Sequence, residues 1–335
     1  MDTPVLITHK TAWLVHHAPQ DLVHAVAQHD YQIGARGLST QQRTTRIRQA
    51  LADCGIPISM LETIDISVVF AFERIRANSV NCHVLGQNLP YDHIDELTPG
   101  IFITDEALTF VFAAEWMDRI EYLEYGYEVC GDYRHGLNPA DPYVEQPATT
   151  SKDEIAELLD QHPGKPGAAR ARLALRHICD RSASPMESAS AIALSLPTSK
   201  GGLGIRGIEL NKPLEIPQRL WHCTKARTLK IDALITYKRR ELCIEYKGGF
   251  HDETERKGAD AEREAVLAQM GYRIVTLTSA QFSNQLAFHR AMNSIREALG
   301  MPRCTDADYQ RKQNELRKAL IRNWKSARSD DAPSE

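Results

Sequence analysis

The sequence predicts two units of the mixed α and β classes. One is an α/β-type mixed sheet flanked by helices in the C-terminal half; the other is a separate N-terminal α+β domain. Three observations carry this. At 335 residues the chain exceeds what one hydrophobic core usually serves. From Ser182 onward the pattern runs α-β-β-β-α-β-α, with Ile, Val, Leu and Tyr concentrated in the strand segments. Between the halves lies a polar, proline-bearing stretch, from Asn138-Pro139-Ala140-Asp141-Pro142 to Gln146-Pro147-Ala148-Thr149-Thr150, with the composition of a linker. Boundaries are accordingly drawn at 1–148 for the first domain, 149–181 for linker helices, 182–300 for the sheet domain, and 301–335 for a charged C-terminal helix and tail.

In the first domain, Ser39 and Thr40 offer a cap for a basic helix over residues 40–51. Residues 66–74, 80–85 and 100–104 read as strands or short buried segments. Leu108, Val111, Phe112 and Trp116 recur at helical spacing within 106–116, and residues 122–130 are aromatic and acidic. Ser151-Lys152-Asp153-Glu154 has the chemistry of a capping box. Gly164-Lys165-Pro166-Gly167 ends that helix, and residues 168–180 form an amphipathic helix carrying Arg170, Arg172 and Arg176.

In the sheet domain, residues 185–196 read as a helix with Glu187 in its first turn. Residues 204–208 and 214–216 are short strand candidates; 229–237, 241–247 and 272–277 are clear strands. A helix over 260–270 stops at Gly271. Residues 279–299 and 305–326 are further helices, and 327–335 a loose tail. Gly201-Gly202-x-Gly204 lacks the preceding strand and the lysine of a phosphate loop and reads as a plain loop.

With 42% hydrophobic and 25% charged residues the composition is that of an ordinary globular chain, which excludes a disordered or fibrous one. A net charge of −4 leaves no global basic field, so contact with nucleic acid has to come from local patches. The seven cysteines include no Cys-x-x-Cys pair, which argues against a zinc knuckle or redox motif and fits reduced thiols. The start of the chain has no signal-peptide pattern and the longest apolar runs are far short of a membrane span. A cytoplasmic protein without a membrane partner is expected.

The chemistry concentrates between Lys230 and Leu277. Asp232 and the Glu245-x-Lys247 pair stand inside otherwise apolar strands, where carboxylates are costly unless a cation pairs them. Side chains alternate faces along a strand. Matching the apolar faces pairs Ile235 with Leu242, Ala233 with Ile244 and Ile231 with Tyr246. The same register sets Asp232 across from Glu245, roughly 5 Å apart at Cβ; a slip by one residue breaks both matches. Two carboxylates so close suit Mg²⁺, which takes one or two of them together with water and phosphate oxygens. Such an ion lowers the pKa of a bound water and stabilises charge on phosphate. Lys247 shares the face of Glu245 and can orient a nucleophile or steady the transition state. Glu187 can reach the same metal through water, although an acid in a first helical turn is already favoured by the dipole.

Asp232, Glu245-x-Lys247, Gly248-Gly249-Phe250-His251, Asp260-x-x-Arg263 and Leu267-x-x-x-Gly271-Tyr272 together resemble the very-short-patch-repair-like branch of the PD-(D/E)xK nucleases, over about residues 182–300. The resemblance implies a restriction-endonuclease-like fold. It also implies Asp232 and Glu245 as ligands of Mg²⁺ or Mn²⁺, Glu187 as an acidic helper in the metal site, His251 as an acid or base, and Asp260 and Arg263 on a helix facing the site. One position departs. Many relatives have Asp-Gly where this chain has Lys247-Gly248, and lysine is closer to the wider nuclease pattern. The two-part layout further resembles proteins that join such a domain to an N-terminal region related to AbiEi-type antitoxins of type IV toxin–antitoxin systems. Ile7-Thr8-His9-Lys10-Thr11-Ala12 is similar to the start of that region.

Lys230, Lys238, Arg239, Arg240, Arg256 and Lys257 surround the proposed site in the sequence and can neutralise backbone phosphates. Two functions are expected from these readings: Mg²⁺-dependent hydrolysis of DNA phosphodiesters in repair or phage defence, or a non-catalytic DNA-binding regulator of toxin–antitoxin type. DNA is the expected partner, with a second copy of the chain and a toxin or defence-system protein as further candidates.

Overall fold

The computed structural model describes residues 4–35, 37–137, 143–247 and 254–322, with the side chains of 254–261 left out. The chain divides into two compact units. The first comprises Met1–Val129 and Arg134–Arg176, the second Cys130–Tyr133 and His177–Glu335. Among the described residues no helix is long and apolar enough to cross a membrane.

The first unit is built on five strands: Val5–Ile7 (β1), Ile64–Val68 (β2), Val80–Val84 (β3), Ile94–Thr98 (β4) and Ile101–Thr104 (β5). Their order is β3-β2-β1-β5-β4. β1 runs antiparallel to β2 and parallel to β5. Helices His9–His16 (α1), Gln20–Ala27 (α2) and Thr40–Asp53 (α3) contribute to a core with Ile7, Ile47, Leu51, Ile64 and Ile101. Ser39 caps α3 in a complete capping box with Gln42, which satisfies two otherwise orphaned amides. Glu106–Ala113 (α4) is buried from Ala107 onward, and Arg119–Val129 (α5) buries Tyr122, Tyr125 and Tyr127. The strand expected over 66–74 is shorter: it ends at Val68 and gives way to a 3-10 turn at Ala71–Glu73.

Short strands Tyr133–Arg134 (β6) and Val144–Glu145 (β7) precede Lys152–Gln161 (α6) and Ala168–Leu175 (α7). These two helices were read as linkers; they belong to the first unit and pack on α4. Ile155, Leu158 and Leu159 of α6 are buried. Arg170 donates to the carbonyls of Ala114 and Met117, and Arg172 to that of Leu159. The arginine helix therefore spends its charge on helix ends within its own unit.

The second unit begins with Pro185–Ser195 (α8), started by Pro185 at its first position and capped by Ser184. Four strands follow: Ile208–Glu215 (β8), Thr228–Tyr237 (β9), Arg240–Lys247 (β10) and Arg273–Thr278 (β11), in the order β11-β10-β9-β8. β8, β9 and β10 are antiparallel neighbours; β11 joins β10 in parallel after the helix Thr254–Gln269 (α9). Parallel neighbours need such a crossover. Ser279–Ser283 (α10), Gln285–Ala298 (α11) and Ala307–Leu320 (α12) complete the unit. Ile231, Ala233, Leu234 and Ile235 are all buried, as expected for a sheet covered on both faces.

Three expectations change here. The two short strands around 204–216 are one strand, β8. Asn211 (φ 48°) and Pro213 resemble breakers, but asparagine tolerates the left-handed region and proline is accepted on an edge strand. The single helix over 279–299 is broken at Asn284, whose side chain caps α11 through the amide of Ala287. The C-terminal helix is not a separate appendage: Tyr309, Leu316 and Leu320 are buried within the second unit.

Candidate active site

The register of β9 and β10 is the one derived from apolar matching. Leu242 pairs with Ile235 and Ile244 with Ala233. One step further, the backbone amide of Tyr246 donates to Asp232 Oδ2 at 2.8 Å. The expected Ile231–Tyr246 position is thus where a carboxylate meets the β10 backbone, and the sheet opens into a cavity there. Asp232, Glu245, Tyr246, Lys247, Arg263, Glu264 and Leu267 line it, with a volume of about 140 Å³.

Glu245 is buried, and Arg263 Nη2 on α9 lies 2.9 Å from its Oε1. Arg263 also donates to the carbonyl of Lys230 and so ties α9 to β9. Lys247 Nζ is 2.9 Å from Glu264 Oε1, one residue further along the same helix. Leu267, one turn on, packs with Leu234 and Cys243 beneath the cavity. Side chains at 263, 264 and 267 share one helical face, so a single face of α9 supplies a cation, an anion and an apolar floor. Burial, then the neighbouring Glu245 and Glu241, push the Cys243 thiol up to about 12, which disfavours the thiolate form.

Glu187 starts α8. Its Oε1 accepts from Ser184 Oγ at 3.1 Å, and its Oε2 accepts from the Ala183 amide at 2.9 Å and from Asn211 Nδ2. Burial raises the carboxyl above its usual range; the Asp232 charge adds to that effect, against the hydrogen bonds from Ala183, Asn211 and Ser184. Both Glu187 oxygens are engaged in holding the helix start and Asn211.

The sequence reading missed Asn211. Its Nδ2 donates to the Arg181 carbonyl at 2.7 Å as well as to Glu187. In the ladder Leu210 faces Ala233 and Lys212 faces Ile231, which sets Asn211 beside Asp232. It also lines a second cavity of about 380 Å³ with Asp132, Arg181, Pro213, Thr228, Leu229 and Lys230. The run Asn211-Lys212-Pro213 hid it, since it resembles a loop. Glu264 was missed too, because a glutamate on a charged helix carries no signal of its own.

The basic residues separate. Lys230 lies at the second cavity. Lys238 and Arg239 form the two-residue turn between β9 and β10, and Arg240 opens β10. Six residues of strand separate Lys238 from Asp232, roughly 20 Å at the usual rise, so this tripeptide is not a wall of the Asp232 cavity. His251 lies outside the described residues. So do the side chains of Arg256, Lys257 and Asp260, in the first turns of α9.

Asp232 and Glu245 at a small cavity are a donor set that Mg²⁺ or Mn²⁺ accepts. Arg263 already stands on Glu245 as a counter-cation, and such an ion would share or displace it. Comparison with family models, curated proteins and solved structures finds no match.

Proposed function

We propose that the second unit hydrolyses DNA phosphodiester bonds as a Mg²⁺-dependent endonuclease of the restriction-endonuclease-like class. The observation that carries the reading is the convergence of Asp232, Glu245 and Lys247 on one cavity. The strand and helix order, α8 then β8-β9-β10, α9 and β11, supports it. Asp232 and Glu245 would hold the ion, which supplies a water of lowered pKa and neutralises charge on the phosphate. The Tyr246 amide fixes the Asp232 carboxylate, and Arg263 fixes Glu245. Lys247, released from Glu264, would meet the scissile phosphate. Arg181 and Lys230, at the adjacent cavity, would neutralise the flanking backbone.

A second reading has its own support. Glu245 is paired with Arg263, Lys247 with Glu264, and Glu187 with its helix start. A polar site neutralised in this way suits a non-catalytic DNA-binding regulator of toxin–antitoxin type.

Plasmid cleavage by the purified full chain with Mg²⁺ or Mn²⁺ separates the two. The nuclease reading expects metal-dependent cuts that Asp232→Ala and Glu245→Ala each abolish. DNA binding without cleavage under any divalent ion, unaltered by either substitution, selects the regulator.

A further inference from the structure

A cavity of about 270 Å³ opens where the start of α11 meets α12. Asn284, Gln310, Gln313 and Asn314 line it with carboxamides, and Leu286 and Phe288 with apolar surface. Among the described residues no lysine, arginine, aspartate or glutamate lines it, so it offers no counter-charge to a phosphate or a carboxylate. Gln313 and the neighbouring His289 belong to a hydrogen-bond chain whose direction is fixed at both ends. The Cys304 amide can only donate, and it donates to Asn293 Oδ1 at 3.2 Å. Asn293 Nδ2 therefore donates to His289 Nε2 at 2.9 Å, which leaves the ring proton on Nδ1, 2.7 Å from Gln313 Oε1. Gln313 Nε2 donates in turn to Tyr309 Oη at 2.7 Å, and Tyr309 to the Gly202 carbonyl, which can only accept. The buried Gln313 amide is thus held by the fold itself.

Three further carboxamides are anchored by one end only. Asn284 Oδ1 accepts from the Ala287 amide at 2.9 Å. Asn314 Oδ1 accepts from Arg317 Nε at 3.1 Å and from Arg317 Nη2 at 2.9 Å. Gln310 Nε2 donates to the Thr305 carbonyl at 3.2 Å. Each of these partners can only donate or only accept, so none of the three amides can be turned round without losing its anchor. Asn284 Nδ2, Asn314 Nδ2 and Gln310 Oε1 are the ends that remain for a ligand. They amount to two donors and one acceptor, each on a side chain already fixed in place.

We propose that this cavity binds a pyrimidine nucleobase by its pairing edge. Uracil and thymine present two acceptors and one donor there, and so does cytosine, which complements the three free amide ends. Guanine presents one acceptor and two donors and would set donor against donor. Leu286 and Phe288 supply apolar contact for the ring. The volume lies just under the usual range of small-molecule sites, about 300–1,000 Å³, and suits a single base or nucleoside. With no charge in the lining, the base is what the site reads, and any phosphate attached to it stays in solvent. A free nucleoside and an unpaired base of a nucleic-acid strand present the same edge. No group of the Asp232 cavity takes part, so the site stands whether or not the second unit cuts DNA.

The test titrates the full chain with uridine, thymidine and cytidine, all uncharged, in EDTA so that no metal-dependent cleavage intervenes. Calorimetry or protein NMR reads the binding, with guanosine and ribose as comparison ligands. Saturable binding of one pyrimidine nucleoside per chain is expected, tighter than that of either comparison ligand. Asn284→Asp and Asn314→Asp keep the oxygens that accept from Ala287 and Arg317, and aspartate caps a helix as well as asparagine, so the fold is retained. Each substitution exchanges a presented donor for an acceptor and should weaken nucleoside binding roughly tenfold, while cooperative melting persists. A single-stranded oligothymidylate then distinguishes the sources: tighter binding than thymidine means the base is taken from a strand, and equal or weaker binding means a free nucleoside. The proposal is overturned if no pyrimidine nucleoside binds at millimolar concentration, if guanosine or ribose binds as tightly, or if both substitutions leave nucleoside affinity unchanged.

Discussion

Arg263 reaches from α9 to stand 2.9 Å from Glu245, so a buried carboxylate of the cavity carries its own counter-cation. Removing one partner of such a pair leaves the other charge uncompensated, at about 3–5 kcal/mol when both are fully buried. The Arg263 side chain is 30% exposed, which reduces the expected cost of Arg263→Ala to about 2 kcal/mol. If a divalent ion occupies the same place, Mg²⁺ should raise the Tm of Arg263→Ala more than that of the parent. Thermal melts of both proteins with and without Mg²⁺ check this; equal shifts would argue against a metal at Glu245.

Glu187 gives a pH signature. Its carboxyl is raised in the folded chain by burial first and by the Asp232 charge as well. The folded state therefore holds the proton more tightly than the unfolded state. The favourable contribution is complete below the unfolded pKa and declines as pH rises through the folded one. Glutamine also serves in a capping box, so Glu187→Gln keeps the helix start and drops the titration. Its stability relative to the parent should increase from acid to neutral pH and then level off, as read by urea unfolding across that range. A difference independent of pH would sink the assignment.

The turn at Lys238 and Arg239 has φ of 45° and 66°, values that two-residue hairpins normally fill with Asn-Gly. Left-handed backbone costs about 1–2 kcal/mol for an ordinary L-residue. Arg239→Gly is expected to stabilise the chain by about 1 kcal/mol. If the turn contacts DNA, the same substitution weakens DNA binding and lowers its salt dependence. Paired denaturation and salt-titrated binding measurements read both effects from one protein.

Gly202 sits where an added Cβ would come within 2.1 Å of the Leu196 carbonyl oxygen, whereas a Cβ at Gly164 meets nothing within 4 Å. Gly202→Ala should cost on the order of 2–4 kcal/mol through forced backbone movement. Gly164→Ala should change stability by less than about 0.5 kcal/mol. Chemical denaturation of the two variants side by side decides whether this loop is as tight as described.

What the sequence disclosed follows the physics of periodicity. Strands β9, β10 and β11 and the Leu242–Ile235 register were legible because apolar residues alternate and only one register matches them. Glu245-x-Lys247 was legible because a carboxylate inside an apolar strand is anomalous. Asn211 was not, since its φ of 48° and the neighbouring Pro213 make an edge strand look like a loop. The partnering of Glu245 by Arg263 and of Lys247 by Glu264 was not derivable either, because side-chain pairing across a helix and a sheet depends on how α9 is rotated over the strands. The 149–181 boundary differs because the packing of α6 and α7 on α4 is a tertiary contact that proline content does not report.

The short segment Cys130–Tyr133 belongs to the second unit although the chain on both sides of it belongs to the first. Its hydrogen-bonding groups wait for residues made later: Cys130 O accepts from the Arg181 amide, and the Asp132 amide donates to the Ser182 carbonyl. During synthesis from the N-terminus, every part of the first unit has emerged by Arg176, before the first strand of the second unit exists. Every residue of the first unit is therefore made before β8, while the four residues Cys130–Tyr133 wait for the later chain that completes the second unit.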